Sequence, residues 1–236
     1  MKSDCKTNLD LNRNKCEELL LEAKSYHAIN DYDSTEKLLL KICRIAENVY
    51  RKTFLNKDSV MLVNYYLEII EFYNQRENSN LVQRWHQKLV GILQLSCESR
   101  FVLDDYRNLM IWYVKTLDLM LANKDYESLT KMAKNMVEKS YVLFSKTKTN
   151  EDFKYYIIAR LMLATGYSKT KHLFKSYFNY RYAANKLHKL YVNNKDEGVK
   201  NDLISIYECL YELSNRNIFK PIAKRWKVKI LLLKEE

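Results

Sequence analysis

Histidines, cysteines and clustered carboxylates carry most metal and nucleophilic chemistry, and here their spacing offers little of either. His27, His86, His172 and His188 stand apart, without the H-E-x-x-H or H-x-x-x-H spacing that sets two imidazoles on one helix face. Cys5, Cys16, Cys43, Cys97 and Cys209 include no CxxC pair, and an odd count with no N-x-S/T sequon favours a reducing compartment. Cys43 and Cys97 lie beside apolar helical positions and are expected in the core. Nucleophile elbows and phosphate-cradling loops need glycine for close backbone approach, and the chain has only Gly91, Gly166 and Gly198. The carboxylates Glu17, Glu18 and Glu22 are read as lying near a helix start, where they favour the dipole. No catalytic residue, cofactor or metal is therefore expected.

Binding chemistry is better represented. From Lys169 to Lys195 the chain is basic throughout and has no Asp or Glu. At about 100° per residue, Lys171, Lys175, Tyr182, Lys186 and Lys189 share one helix face. Like charges at helical spacing repel by a few tenths of a kcal/mol per pair, about the order an anionic partner would relieve. A tyrosine among them could stack on a base, worth roughly 1–3 kcal/mol. A net charge of +11 points the same way, toward nucleic acid, an anionic membrane or an acidic protein. A chain rich in Lys and Asn can also be basic through composition alone, so both readings stand at this stage.

These side chains must be positioned by helices. Three glycines and one proline in 236 residues leave little material for tight strand turns, and 47% hydrophobic residues supply a substantial core. Residues 1–11 read as a polar N-terminal tail, and 12–236 as a single helical domain. Apolar runs such as 230–233 are far too short to span a bilayer, so the expectation is a soluble intracellular protein of the cytoplasm or nucleus.

Self-similarity organises the helices. The turns Asn30-Asp31-Tyr32 and Lys124-Asp125-Tyr126 lie 94 residues apart, twice 47. Stepping by 47 aligns Cys16, Val63, Met110, Ile157 and Ile204 ahead of the turn. After it, the same step aligns Thr35, Val82, Leu129, Ser176 and Ala223, then Ile42, Leu89, Met136, Ala183 and Ile230. The spacing predicts helix pairs at 12–29 and 33–52, 58–76 and 80–98, 102–122 and 126–146, 151–169 and 173–193, and 198–215 and 219–234. A hairpin with two apolar sides cannot bury both alone, so neighbours must stack. The fifth copy departs most, at Glu208 and Ser214, and reads as a capping unit with a polar outer face.

The first unit, Ala23, Tyr26, Asn30-Asp31-Tyr32, Thr35, Leu39 and Ile42, resembles the tetratricopeptide repeat, and Asp125-Tyr126-Glu127-Ser128-Leu129 matches in the same register. The period of 47 exceeds the family's 34, which implies longer helices or loops. A second likeness is to the N-terminal helical repeats of signalosome and proteasome-lid scaffold subunits, through the Asp-Tyr turn and the long helices that follow. The resemblance implies an all-α, right-handed solenoid of about five antiparallel hairpins whose first helices line a concave groove. Carried over by column, the groove positions are Lys24, Glu71, Asp118 and Glu212, flanked by His27, Asn74 and Asn215 and by Gln75, Lys169 and Arg216. They imply a non-catalytic scaffold or adaptor holding a protein or peptide, of acidic character if charge decides, with membership of a larger assembly left open. An RNA- or polyanion-binding protein using the basic face is the alternative.

Overall fold

A computed structural model of the chain describes the backbone of residues 2–99, 101–215 and 220–235. Among them are ten α-helices and no strand: α1 (Lys2–Ala28), α2 (Tyr32–Thr53), α3 (Asn56–Gln75), α4 (Ser79–Ser99), α5 (Leu103–Ala122), α6 (Tyr126–Thr147), α7 (Asn150–Lys169), α8 (Leu173–Asn194), α9 (Glu197–Asn215) and α10 (Lys220–Glu235). The even-numbered helices open at residues 32, 79, 126, 173 and 220, and α3, α5, α7 and α9 at 56, 103, 150 and 197. Both series advance by 47.

Local chemistry sets these turns. Asn30, Glu77, Lys124 and Lys171 all adopt left-handed φ between 52° and 63°, which reverses the chain within one residue. At three of the four the residue that follows, Asp31, Asn78 or Asp125, caps the next helix through its side chain, whereas His172 makes no such bond. Asp31 Oδ1 accepts from the Ser34 amide at 3.1 Å, and Asp125 Oδ1 from the Ser128 amide at 3.2 Å. Helices α2, α6 and α8 end on left-handed Phe54, Lys148 and Lys195, whose amides bond the carbonyls of Tyr50, Phe144 and Tyr191.

The chain divides into two compact units, Met1–Leu119 and Met120–Glu236, where the sequence reading has one domain from residue 12. In the first, α1 packs on α2, α2 on α3 and α3 on α4. In the second, α6 to α10 pack in the same serial way. The periodic columns form the two cores. Thr35, Val82, Leu129, Ser176 and Ala223 are all buried, as are Ile42, Leu89, Met136, Ala183 and Ile230. Each large apolar side chain removed from water contributes about 1.5–3 kcal/mol, and Ile42, Val82, Leu89, Leu129, Met136 and Ile230 are the column residues that do so. In the second unit, Gly166 lets α7 approach α6 closely. A Cβ there would collide with the Thr130 hydroxyl and lie 2.9 Å from Leu129 Cδ2 and 3.2 Å from the Thr130 Cα.

Three expectations change. Helix α1 begins at Lys2, not near residue 12, so residues 2–11 belong to a helix of 27 residues rather than to a separate tail. Glu17, Glu18 and Glu22 consequently lie beyond its middle, out of reach of the N-terminal dipole. Ser214 is fully buried with its hydroxyl donated to the Leu210 carbonyl, whereas Val228, Leu231 and Leu232 of α10 are exposed. Glu208 is exposed and pairs with Lys234 at 3.1 Å, so the exposed face of the fifth unit mixes these apolar residues with Lys224, Arg225, Lys227 and Lys234 and is not polar throughout.

Candidate functional site

In the first unit, the odd-numbered helices line an open hollow of about 1000 Å³. Glu17 and Leu20 of α1 form one wall, Trp112 and Lys115 of α5 the other, and α3 runs between them. From α3, Val60, Met61 and Leu67 give apolar surface, while Asn64, Glu68, Glu71 and Asn74 give polar groups. A smaller hollow of about 150 Å³ shares Leu20, Glu68 and Glu71, and adds Lys24, His27 and Gln75. Lys24 Nζ pairs with Glu68 Oε1 at 3.0 Å across α1 and α3, and Gln75 donates to Glu71 at 3.2 Å.

His86 of α4 also lines the larger hollow. It is only 6% exposed, its ring meets Trp112 edge-on at 5.1 Å, and its Nδ1 has no hydrogen-bond partner. Burial first, and the Lys115 charge second, lower its pKa to about 4, so the imidazole is neutral at physiological pH. Lys115 Nζ sits 4.4 Å over the Trp112 ring.

Of the groove positions carried over by column, Glu71 and Asn74 line the larger hollow, and Lys24, His27, Glu71 and Gln75 the smaller. Asp118 is exposed and lines neither, though partial desolvation by its neighbours raises its carboxyl pKa. In the second unit Lys169 borders a separate shallow hollow of about 440 Å³ with Lys124, Asp125 and Lys171. Glu212 and Asn215 are exposed on α9, and Arg216 lies outside the described residues.

Sequence columns missed an anchoring group. Asp58 is 1% exposed, and its carboxylate accepts two bonds from Arg13, Nε to Oδ1 and Nη2 to Oδ2, both at 2.8 Å. Thr53 adds a third at 2.6 Å. This pairing fixes α1 against α3, the two helices that carry most of the hollow. Asp58 recurs as Asp105 and Asp152 at the 47-residue step, which was the available signal.

On the basic face, Lys171, Lys175, Lys186 and Lys189 are exposed, but Tyr182 is not free to stack on a base. Arg160 lies 4.7 Å over its ring, Lys186 lies at 5.6 Å, and Tyr156 meets it at 88°. Burial pushes its hydroxyl up to about 12. Among the described residues, no group of three or more His, Cys, Asp or Glu side chains could hold a metal ion, and no helix is long and apolar enough to cross a membrane.

No protein-family model matches the sequence, and no curated protein is similar to it at the sequence level. Solved structures do match in fold. A kinesin-light-chain-type protein of Podosopora anserina with nearly identical TPR-like repeats has a TM-score of 0.50 at 9% identity, over 93% of this chain and 95% of that one. BtubC of P. vanneervenii gives 0.54 at 13%, over 96% and 91%, and the apo form of RapI gives 0.53 at 10%, over 94% and 70%. The chain therefore has a TPR-like helical-repeat fold, of the α-solenoid class.

Proposed function

We propose that this protein is a non-catalytic interaction scaffold that seats an extended segment of a partner protein in the hollow over α3. The hollow itself carries the reading. It is open along α1, α3 and α5, it mixes apolar surface with polar groups spaced along a helix, and it meets an unpartnered buried imidazole. An extended peptide needs both features, pockets for side chains and hydrogen-bond partners for its backbone. With three carboxylates (Glu17, Glu68, Glu71) against Lys57 and Lys115, the lining suits a segment carrying basic and apolar residues. An acidic partner, which the net charge alone favours, fits this hollow less well. The similarity of fold to other TPR-like proteins is consistent with a binding role.

A library of random peptides displayed against the full chain tests the reading. Peptides that bind wild type should lose binding to the Glu71→Lys/Asn74→Ala variant, whose changes lie at exposed positions and leave helicity intact. Selected peptides that bind both forms equally would place the site elsewhere.

A further inference from the structure

The +11 charge is not spread along the chain. Met1–Leu119 holds 17 Lys and Arg against 17 Asp and Glu, whereas Met120–Glu236 holds 23 against 12. A bias from composition alone would load both units. Within the second unit the imbalance is confined again. Helices α6, α8 and α10 together carry 14 basic and 3 acidic residues, while α7 and α9 carry 4 and 6.

Exposed apolar side chains follow the same division. Among the described residues of the second unit, all seven exposed large hydrophobics lie on α6, α8 and α10. Phe174, Phe178 and Val192 of α8 are 58%, 59% and 55% exposed, and Val228, Leu231 and Leu232 of α10 are 54%, 50% and 56%. The two helices adjoin, since Tyr177 meets Trp226 at 6.4 Å and the charges of Arg181 and Lys229 act on each other. Around α8 the apolar row 174, 178 and 192 runs beside Arg181 and Lys189.

We infer that this even-helix face of the second unit docks on the surface of an anionic lipid bilayer. Both parts of the face are needed for the assignment. Lysines and arginines near a bilayer are drawn to acidic headgroups, and exposed Phe, Leu and Val side chains enter the boundary with the acyl chains. Nucleic acid would use the cations, but Val192, Val228, Leu231 and Leu232 have no stacking surface to offer it, and the Tyr182 ring is already covered. No described helix is long and apolar enough to cross a bilayer, and the proposed contact is one made at the surface. It is reversed by salt, because the Debye length shrinks to about 3 Å at 1 M.

The test is flotation of the full chain with phosphatidylcholine vesicles and with mixed phosphatidylcholine–phosphatidylserine vesicles at low ionic strength. Partitioning is expected only with the mixed vesicles. Neutralising three exposed cations, in Lys186→Gln/Lys189→Gln/Lys227→Gln, should lower it on the order of a hundredfold. Phe178→Ser/Leu231→Ser keeps every charge and should lower it by at least about tenfold. All five positions are exposed, so circular dichroism should be unchanged for both variants. Absence of partitioning into mixed vesicles would overturn the inference. So would wild-type partitioning by the Phe178→Ser/Leu231→Ser variant, or displacement of the vesicles by single-stranded RNA, which would mark a general polyanion surface.

Discussion

Replacing Asp58 with Asn isolates the electrostatic anchor between α1 and α3. The side chain keeps its shape, but one acceptor oxygen becomes an NH2 facing the Arg13 guanidinium. Two charge-assisted bonds and the Thr53 bond are weakened or lost. Removing one partner of a buried pair costs about 3–5 kcal/mol. Arg13 is 17% exposed and keeps its bond to Asp10, so the lower end, about 3 kcal/mol, is expected here. Against a total stability of about 5–15 kcal/mol that is a large shift in a urea midpoint followed by far-UV circular dichroism. The pH dependence supplies a second check. The Arg13 bonds hold the Asp58 carboxyl below its ordinary 3.8. A depressed carboxylate contributes in full above its unfolded value and loses that contribution as pH falls through the folded one. Wild type should therefore lead the variant at neutral pH and converge on it in acid. A difference under about 1 kcal/mol, or one that persists unchanged in acid, would refute the assignment of Asp58 as an anchor.

Other consequences are equally concrete. Gly166→Ala should destabilise by about 1–3 kcal/mol in thermal unfolding, because its methyl meets Thr130, and Thr130→Ala should recover part of the loss. His86 is held neutral down to about 4 against an ordinary 6.5, so the folded state resists a proton that the unfolded chain accepts. Wild type should lose up to about 3 kcal/mol as pH falls through that window, and His86→Leu should flatten the loss in a urea-midpoint series. Burial raises the Cys16 and Cys43 thiols to about 11 and about 12. Neither should react with iodoacetamide at neutral pH until the chain is unfolded, as peptide mapping of labelled protein would show.

The helices were legible because their signals are local and repeated. Columns such as Ile42 to Ile230 and turns such as Asn30-Asp31-Tyr32 recur at one step, and observed helix starts fall within a few residues of the expected ones from α2 onward. The start of α1 was not legible, since 2–11 carries no apolar row to pair with a preceding unit and looks like a tail. Lys24, His27, Glu71, Asn74 and Gln75, which line one or other hollow, came from the family's columns, as did Asp118, which lines neither. His86 and Trp112 did not, because which side chains converge on a hollow depends on the distance between helices far apart in sequence. Tyr182 failed as a stacking platform for the same reason, its neighbour Arg160 lying on another helix. The Lys169–Lys195 run was visible as a run. Its continuation on α10 was not, because it depends on two helices separated by α9 in sequence lying side by side.

A photo-reactive residue placed at two sites of similar exposure tests the binding hollow most directly. Val60, 53% exposed, lines the hollow over α3, whereas Val228, 54% exposed, lies on α10 outside it. With a selected peptide bound, cross-linking from position 60 and none from position 228 is the expected outcome. Labelling from position 228 alone, or from both to the same extent, would contradict a partner segment seated between α1 and α5.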